Sequence, residues 1–143
     1  MNQSFRDLAV FTSGLTFFLA VGLALSPEFF FQLWQVQYSP PMGVPTRRAA
    51  ALFATLSAVL FLARNAGPSA ARLAISSGLA LGAFALAIQA LFEFMAGNAG
   101  PLVLVASVAE MGLGVAFGLV SQSEQSASGA QQRAPRDGAS PSA

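Results

Sequence analysis

The sequence predicts an all-α integral membrane protein, a four-helix bundle of up-and-down topology, and three observations carry that class. Of 143 residues, 55% are hydrophobic and 9% charged, against about 25% charged in soluble domains. Four apolar runs approach or reach the roughly 20 residues that a bilayer-spanning helix needs. After the second run the connections are short, which favours antiparallel neighbours. A chain of this length allows one domain.

The first span is expected over 8–25, LAVFTSGLTFFLAVGLAL, with Arg6 and Asp7 just before it. Secretory signals carry shorter apolar cores and a small-residue cleavage site, so this run reads as a retained span. Thr12, Thr16, Ala20 and Ala24 fall on one helical stripe, the composition of a packing face.

An interfacial segment is expected over 27–38, within SPEFFFQLWQVQY. Ser26 and Pro27 suit a helix start, and Phe29, Phe30, Leu33 and Trp34 then repeat at helical spacing. Phe29, Phe30, Trp34 and Tyr38 form an aromatic belt expected to anchor the bundle at the headgroup level. Pro40, Pro41, Gly43 and Pro45 are expected to prevent regular structure before the next span.

The second span, 46–64, opens with Arg47 and Arg48 in its first turn. It is short, so these two arginines are expected to snorkel outward at the interface. Asn65, Gly67 and Pro68 make a tight connection that runs to Arg72. The third span, 73–95, carries Gly78 and Gly82 in GxxxG spacing, with Ala85, Gln89 and Glu93 along the same side. The fourth, 102–120, reads LVLVASVAEMGLGVAFGLV. Its one charge, Glu110, falls near mid-membrane, where a carboxylate is costly unless protonated, paired or facing protein. Steps of four place Glu110 on a line with Ala106, Gly114 and Gly118, a small-residue stripe expected to face other helices. Beyond it, 121–143 is rich in Ser, Ala, Gln, Gly and Pro and is expected to be a disordered cytoplasmic tail.

Orientation follows from arginine placement. Arg6, Arg64, Arg72, Arg133 and Arg136 fall on one side of four spans and Arg47 with Arg48 on the other. That asymmetry predicts a multi-pass membrane protein with both termini on the cytoplasmic side.

Depth along each helix suggests a polar layer. At 1.5 Å per residue, Glu110, Gln89, Thr55 and Thr16 all lie about 9–13 Å below the outer ends of their spans. Glu93, Arg47 and Arg48 sit above them. One connected cluster is expected, with Arg47 or Arg48 paired to Glu93, and Glu110 hydrogen-bonded to Gln89 or Thr55. Such a cluster fixes helix register, handles protons or ions through Glu110, or lines a pocket for a lipid, quinone or pigment tail.

Composition also excludes. With no Cys and no His, thiol chemistry and the usual zinc and copper ligand sets are absent, and no metal or other cofactor is expected. No Walker loop, nucleophile elbow or H-E-x-x-H occurs, so no enzymatic activity is expected. No basic run exists to track a phosphate backbone, so nucleic acid is excluded as a partner.

Three segments, ALSPEFF at Ala24 to Phe30, RRAAALFATL from Arg47 and ASVAEMGLGV around Glu110, resemble a family of small bacterial four-helix membrane proteins grouped loosely with DoxX-like proteins. Gln89 stands where members often carry an arginine, and Ala51 replaces an expected small-glycine run. The resemblance implies fold and location rather than an activity. The function expected is association: an accessory or scaffold subunit of a larger inner-membrane assembly, with the bilayer and a membrane protein or a second copy as partners. The alternative is a small proton- or ion-coupled transporter using Glu110.

Overall fold

The computed structural model describes residues 2–133, with side chains described over 4–126. Its elements are α1 (Asn2–Leu25), α2 (Pro27–Leu33), a 3-10 turn (Pro40–Met42), α3 (Gly43–Ala63), α4 (Ala70–Met95) and α5 (Leu102–Arg133). All regular structure among the described residues is helical. Stretches of four helices, Ser4–Leu25, Pro40–Ala63, Ala70–Met95 and Leu102–Ser126, are long and apolar enough to cross a membrane.

The ends of these helices have local causes. Helix α1 begins well before the apolar run because Phe5 and Ala9 face the core, both with no exposed surface, while Arg6 and Asp7 point outward. Pro27 ends α1 by lacking an N–H, and the same ring opens α2 at its first position. At the end of α2, Gln35 takes a left-handed φ of 56°. The Val36 amide then donates to the Phe31 carbonyl at 2.8 Å, and the Gln35 amide to the Gln32 carbonyl at 3.0 Å. This is the Schellman arrangement, with glutamine where glycine is usual. Helix α4 ends in the same way on Gly97, whose φ is 74°.

The prolines before the second long helix do not prevent regular structure. Pro40 and Pro41 form the 3-10 turn that leads directly into α3, and Pro45 lies in its first turn, where no intrahelical N–H is needed. Thr46, expected to start the span, instead donates its hydroxyl back to the Met42 carbonyl at 2.7 Å.

The second correction concerns the segment after residue 120. Helix α5 continues through Arg133, so 121–133 are helical; 134–143 lie outside the described residues. Extending an existing helix avoids the nucleation penalty, and Glu124 is held in the core by an ion pair with Arg72.

The long helices pack as two antiparallel pairs. Helix α1 lies against α3, with Phe5, Ala9 and Leu60 in one buried cluster, Ser13 bonded to Ser57, and Leu23 clustered with Ala50. Helix α5 lies against α4, with Glu124 paired to Arg72, Gly114 under Phe84, and the Ser107 hydroxyl donating to the Ala87 carbonyl at 3.0 Å. Helices α3 and α4, although consecutive, share next to no contact. The two pairs meet in a cluster of Phe5, Ala9, Leu60, Ala80 and Phe117. That cluster lies at the end where α1 and α4 begin and α3 and α5 finish. At the opposite end the Gly100 amide donates to the Trp34 carbonyl at 2.7 Å.

The aromatic segment is also redistributed. Phe30 is 5% exposed and clusters with Leu23 and Ala50, with Trp34 packed alongside. A Cβ on Gly22 would come within 2.5 Å of the Phe30 ring, so this glycine permits the contact. Tyr38 packs edge-on to Phe31 at 5.3 Å, whereas Phe29 remains exposed. The turn of α2 back onto α1 and α3 makes Phe30 a core residue rather than an interfacial anchor.

Candidate functional site

A seam of residues spaced by four and three runs the length of α5: Val103, Ser107, Glu110, Gly114, Phe117, Ser121 and Glu124 are all buried or half-buried. This is the 3.5-residue period of helices packed side by side. The matching line on α4 includes Arg72, Ser76, Ala80, Ala83 and Ala87, again buried or half-buried. Small side chains let the two backbones approach. A Cβ on Gly114 would lie 2.9 Å from the Phe84 ring, so that glycine is required by the contact.

Glu110 sits on this seam. It is half-buried, and its Oε2 is covered without a hydrogen-bond partner. The residues expected to surround it do not converge. Gln89 and Thr55 are exposed, and the Thr55 hydroxyl donates to the Ala51 carbonyl on its own helix at 3.0 Å. Thr16 is buried and likewise bonds within its helix, to the Thr12 carbonyl at 2.8 Å and that of Ser13 at 3.1 Å. Glu93 accepts from the Asn98 amide at 2.8 Å. Arg47 and Arg48 are exposed, and among the described residues neither forms an ion pair. Similar depth brought these side chains to one level, but each residue also turns about 100° around its helix. Gln89, two positions past the buried Ala87, therefore faces away from α5.

The glycine stripes divide in the same manner. Gly114 is consumed by the α4 contact, whereas Gly78 and Gly82 are exposed, and a Cβ on Gly78, Gly82 or Gly118 would meet nothing within 4 Å. Helix α4 thus has two faces of small residues, one covered by α5 and one open.

The buried charges lie elsewhere, at the end where the helix pairs meet. Arg72 and Glu124 form an ion pair with side chains 3% and 6% exposed. The Arg72 guanidinium stands 4.3 Å over the Phe5 ring and donates through Nη1 to the Ala66 carbonyl at 3.1 Å. Its backbone amide donates to the Ser69 hydroxyl at 3.2 Å, the N-cap of α4. Arg72 thereby touches α1, α5 and the α3–α4 connection. One turn further along, Ser76 is fully buried with no partner for its hydroxyl.

This centre was missed from sequence because Arg72 read as the end of a loop and Glu124 as part of a polar tail. The signal was present: Glu124 continues the seam Gly114, Phe117, Ser121 at the same spacing. An open recess of about 570 Å³ adjoins the pair. Between α1 and α3 a separate polar contact closes the interface. Ser13 and Ser57 exchange hydroxyl-to-carbonyl bonds of 2.9 Å, their Oγ atoms 3.2 Å apart.

Among the described residues no group of three or more acidic side chains converges to hold a metal. Comparison with protein families, curated proteins and solved structures found no match.

Proposed function

We propose that this chain is an integral protein of the bacterial inner membrane that acts by association, as an accessory or scaffold subunit of a larger assembly. The observation that carries this reading is the open face of α4, where Gly78, Gly82, Ala85 and Gln89 are all exposed. A small-residue stripe lets another helix approach closely, and Gln89 supplies an interhelical hydrogen-bonding group. Large apolar side chains on the other outward faces, among them Phe11, Phe18, Leu52, Leu62 and Leu81, suit lipid contact. Up-and-down crossing with both termini cytoplasmic is supported by the arginines: Arg6, Arg64 and Arg72 lie at one end of the helices and Arg47 with Arg48 at the other. The DoxX-like resemblance supports the same placement as a fold analogy.

The chain has no cysteine, so a single Gly82→Cys variant gives a clean cross-linking probe. In native membranes we expect an adduct at residue 82 and none at residue 52, on the exposed face of α3. Equal labelling at both positions with no adduct at either would remove the association reading.

A second reading rests on Glu110, whose covered Oε2 lacks a partner. It makes the chain a small proton- or ion-coupled transporter. The purified protein in liposomes distinguishes the two: pH-driven flux abolished by Glu110→Gln supports transport, and a stoichiometric larger partner on copurification supports association.

A further inference from the structure

The geometry points to a binding site for an anionic phospholipid in the recess between α1 and α5, an inference that rests on the membrane reading above. The recess is graded in polarity along its length. Ser4, Ser123 and Arg72 line it at the level of the Arg72–Glu124 pair, and Leu8, Ala116 and Leu119 line it one to two turns deeper. Polar groups at the level where α1 and α4 begin and an apolar wall toward the middle match the order of a headgroup followed by an acyl chain. Its volume of about 570 Å³ falls within the ~300–1,000 Å³ of small-molecule sites. The recess persists because α1 and α5 touch mainly near Phe5 and Phe117 and do not zip together along their lengths.

Charge selects the class of lipid. Glu124 offsets Arg72, but Arg6 and Arg64 stand at the same end with only Asp7 against them. Among residues 4–126, whose side chains are described, three arginines against Asp7 and Glu124 leave one net positive charge at this end. A headgroup of net negative charge is favoured there over a zwitterionic one, whose phosphate is balanced by its own ammonium group, by roughly fivefold for one basic charge at a membrane surface.

The test uses the full chain with Trp34, its only tryptophan, changed to Phe and a reporter placed by Leu119→Trp. The protein is reconstituted in phosphatidylcholine vesicles containing rising fractions of brominated phosphatidylglycerol or brominated phosphatidylcholine. Half-maximal quenching is expected at about fivefold lower mole fraction of the anionic lipid. A Leu81→Trp reporter, on an exposed face of α4 outside the recess, should show no such difference. Leu8→Trp, on the opposite wall, should reproduce the shift and guards against a local disturbance by the first reporter. Ala116→Phe, which narrows the recess, should abolish the difference while far-UV circular dichroism retains its helical signal. Equal quenching by the two lipids at residues 119 and 8 overturns the site, as does a preference that survives Ala116→Phe. Displacement by millimolar inorganic phosphate would make the ligand free phosphate and overturn the lipid assignment. Absence of quenching by either lipid at every reporter overturns the membrane reading itself, a different result from equal quenching.

Discussion

Replacing Glu124 by Gln should destabilise the protein far more than its place in a polar, serine-rich segment suggests. The substitution leaves the Arg72 guanidinium, in a side chain 3% exposed, without its counter-charge. Breaking a buried pair from one side costs about 3–5 kcal/mol. The Phe5 ring beneath the guanidinium at 4.3 Å retains about 2 kcal/mol of cation–π attraction when desolvated, which keeps Arg72 in place and puts the expected loss near the lower bound. If residues beyond 120 were a solvated tail, the pair would be a surface contact worth about 0–1 kcal/mol. The two cases differ by at least ~2 kcal/mol, so unfolding in mild detergent, followed by far-UV circular dichroism during denaturant titration, separates them. The double variant Arg72→Met with Glu124→Leu, compared with each of those two single variants, forms a double-mutant cycle. It removes both charges and should recover stability to within about 1 kcal/mol of the parent, because isolated desolvation and not the pair itself dominates the single loss. A loss under about 0.5 kcal/mol for Glu124→Gln, or a double variant equal to the sum of the singles, would refute a buried pair that clamps α5 to α4.

Other substitutions test the packing separately. Gly114→Leu drives a side chain into the Phe84 ring and should cost about 1–3 kcal/mol, while Gly78→Ala, open to its surroundings, should be neutral or stabilise by up to about 1 kcal/mol; thermal unfolding in detergent compares them. Ser13→Ala combined with Ser57→Ala removes the reciprocal bonds across α1 and α3 and should cost about 0.6–1.7 kcal/mol in the same assay. Gln35→Gly relieves a left-handed residue and should stabilise by about 0.5–1 kcal/mol, whereas Gly97→Ala should destabilise by a similar amount.

Helix number, helix type and outward apolar character were legible because they depend on composition and run length, which are local. Span starts at Leu102 and near Gly43 and Ala70 were recoverable within a few residues from prolines and caps. The far ends of α1 and α5 were not, since Phe5 and Glu124 are held by partners more than fifty residues distant along the chain. Glu110 was legible as an anomaly, and Gly114 as a contact. The company expected for Glu110 was not obtained, because depth follows from counting residues whereas facing depends on which neighbour each helix chooses.

By itself, the sequence determined that four long helices form and that they have too little charge to sit easily in water. Tertiary structure decided which helices pair, α1 with α3 and α4 with α5, and that their shared core lies at one end. It also decided which small-residue face of α4 is covered and which acid is neutralised. The physical reason is that apolar helices offer several packing faces of nearly equal composition. The choice among them falls to close fits such as Phe84 over Gly114 and to one pair of opposite charges that must find each other, and neither is visible until the chain has folded.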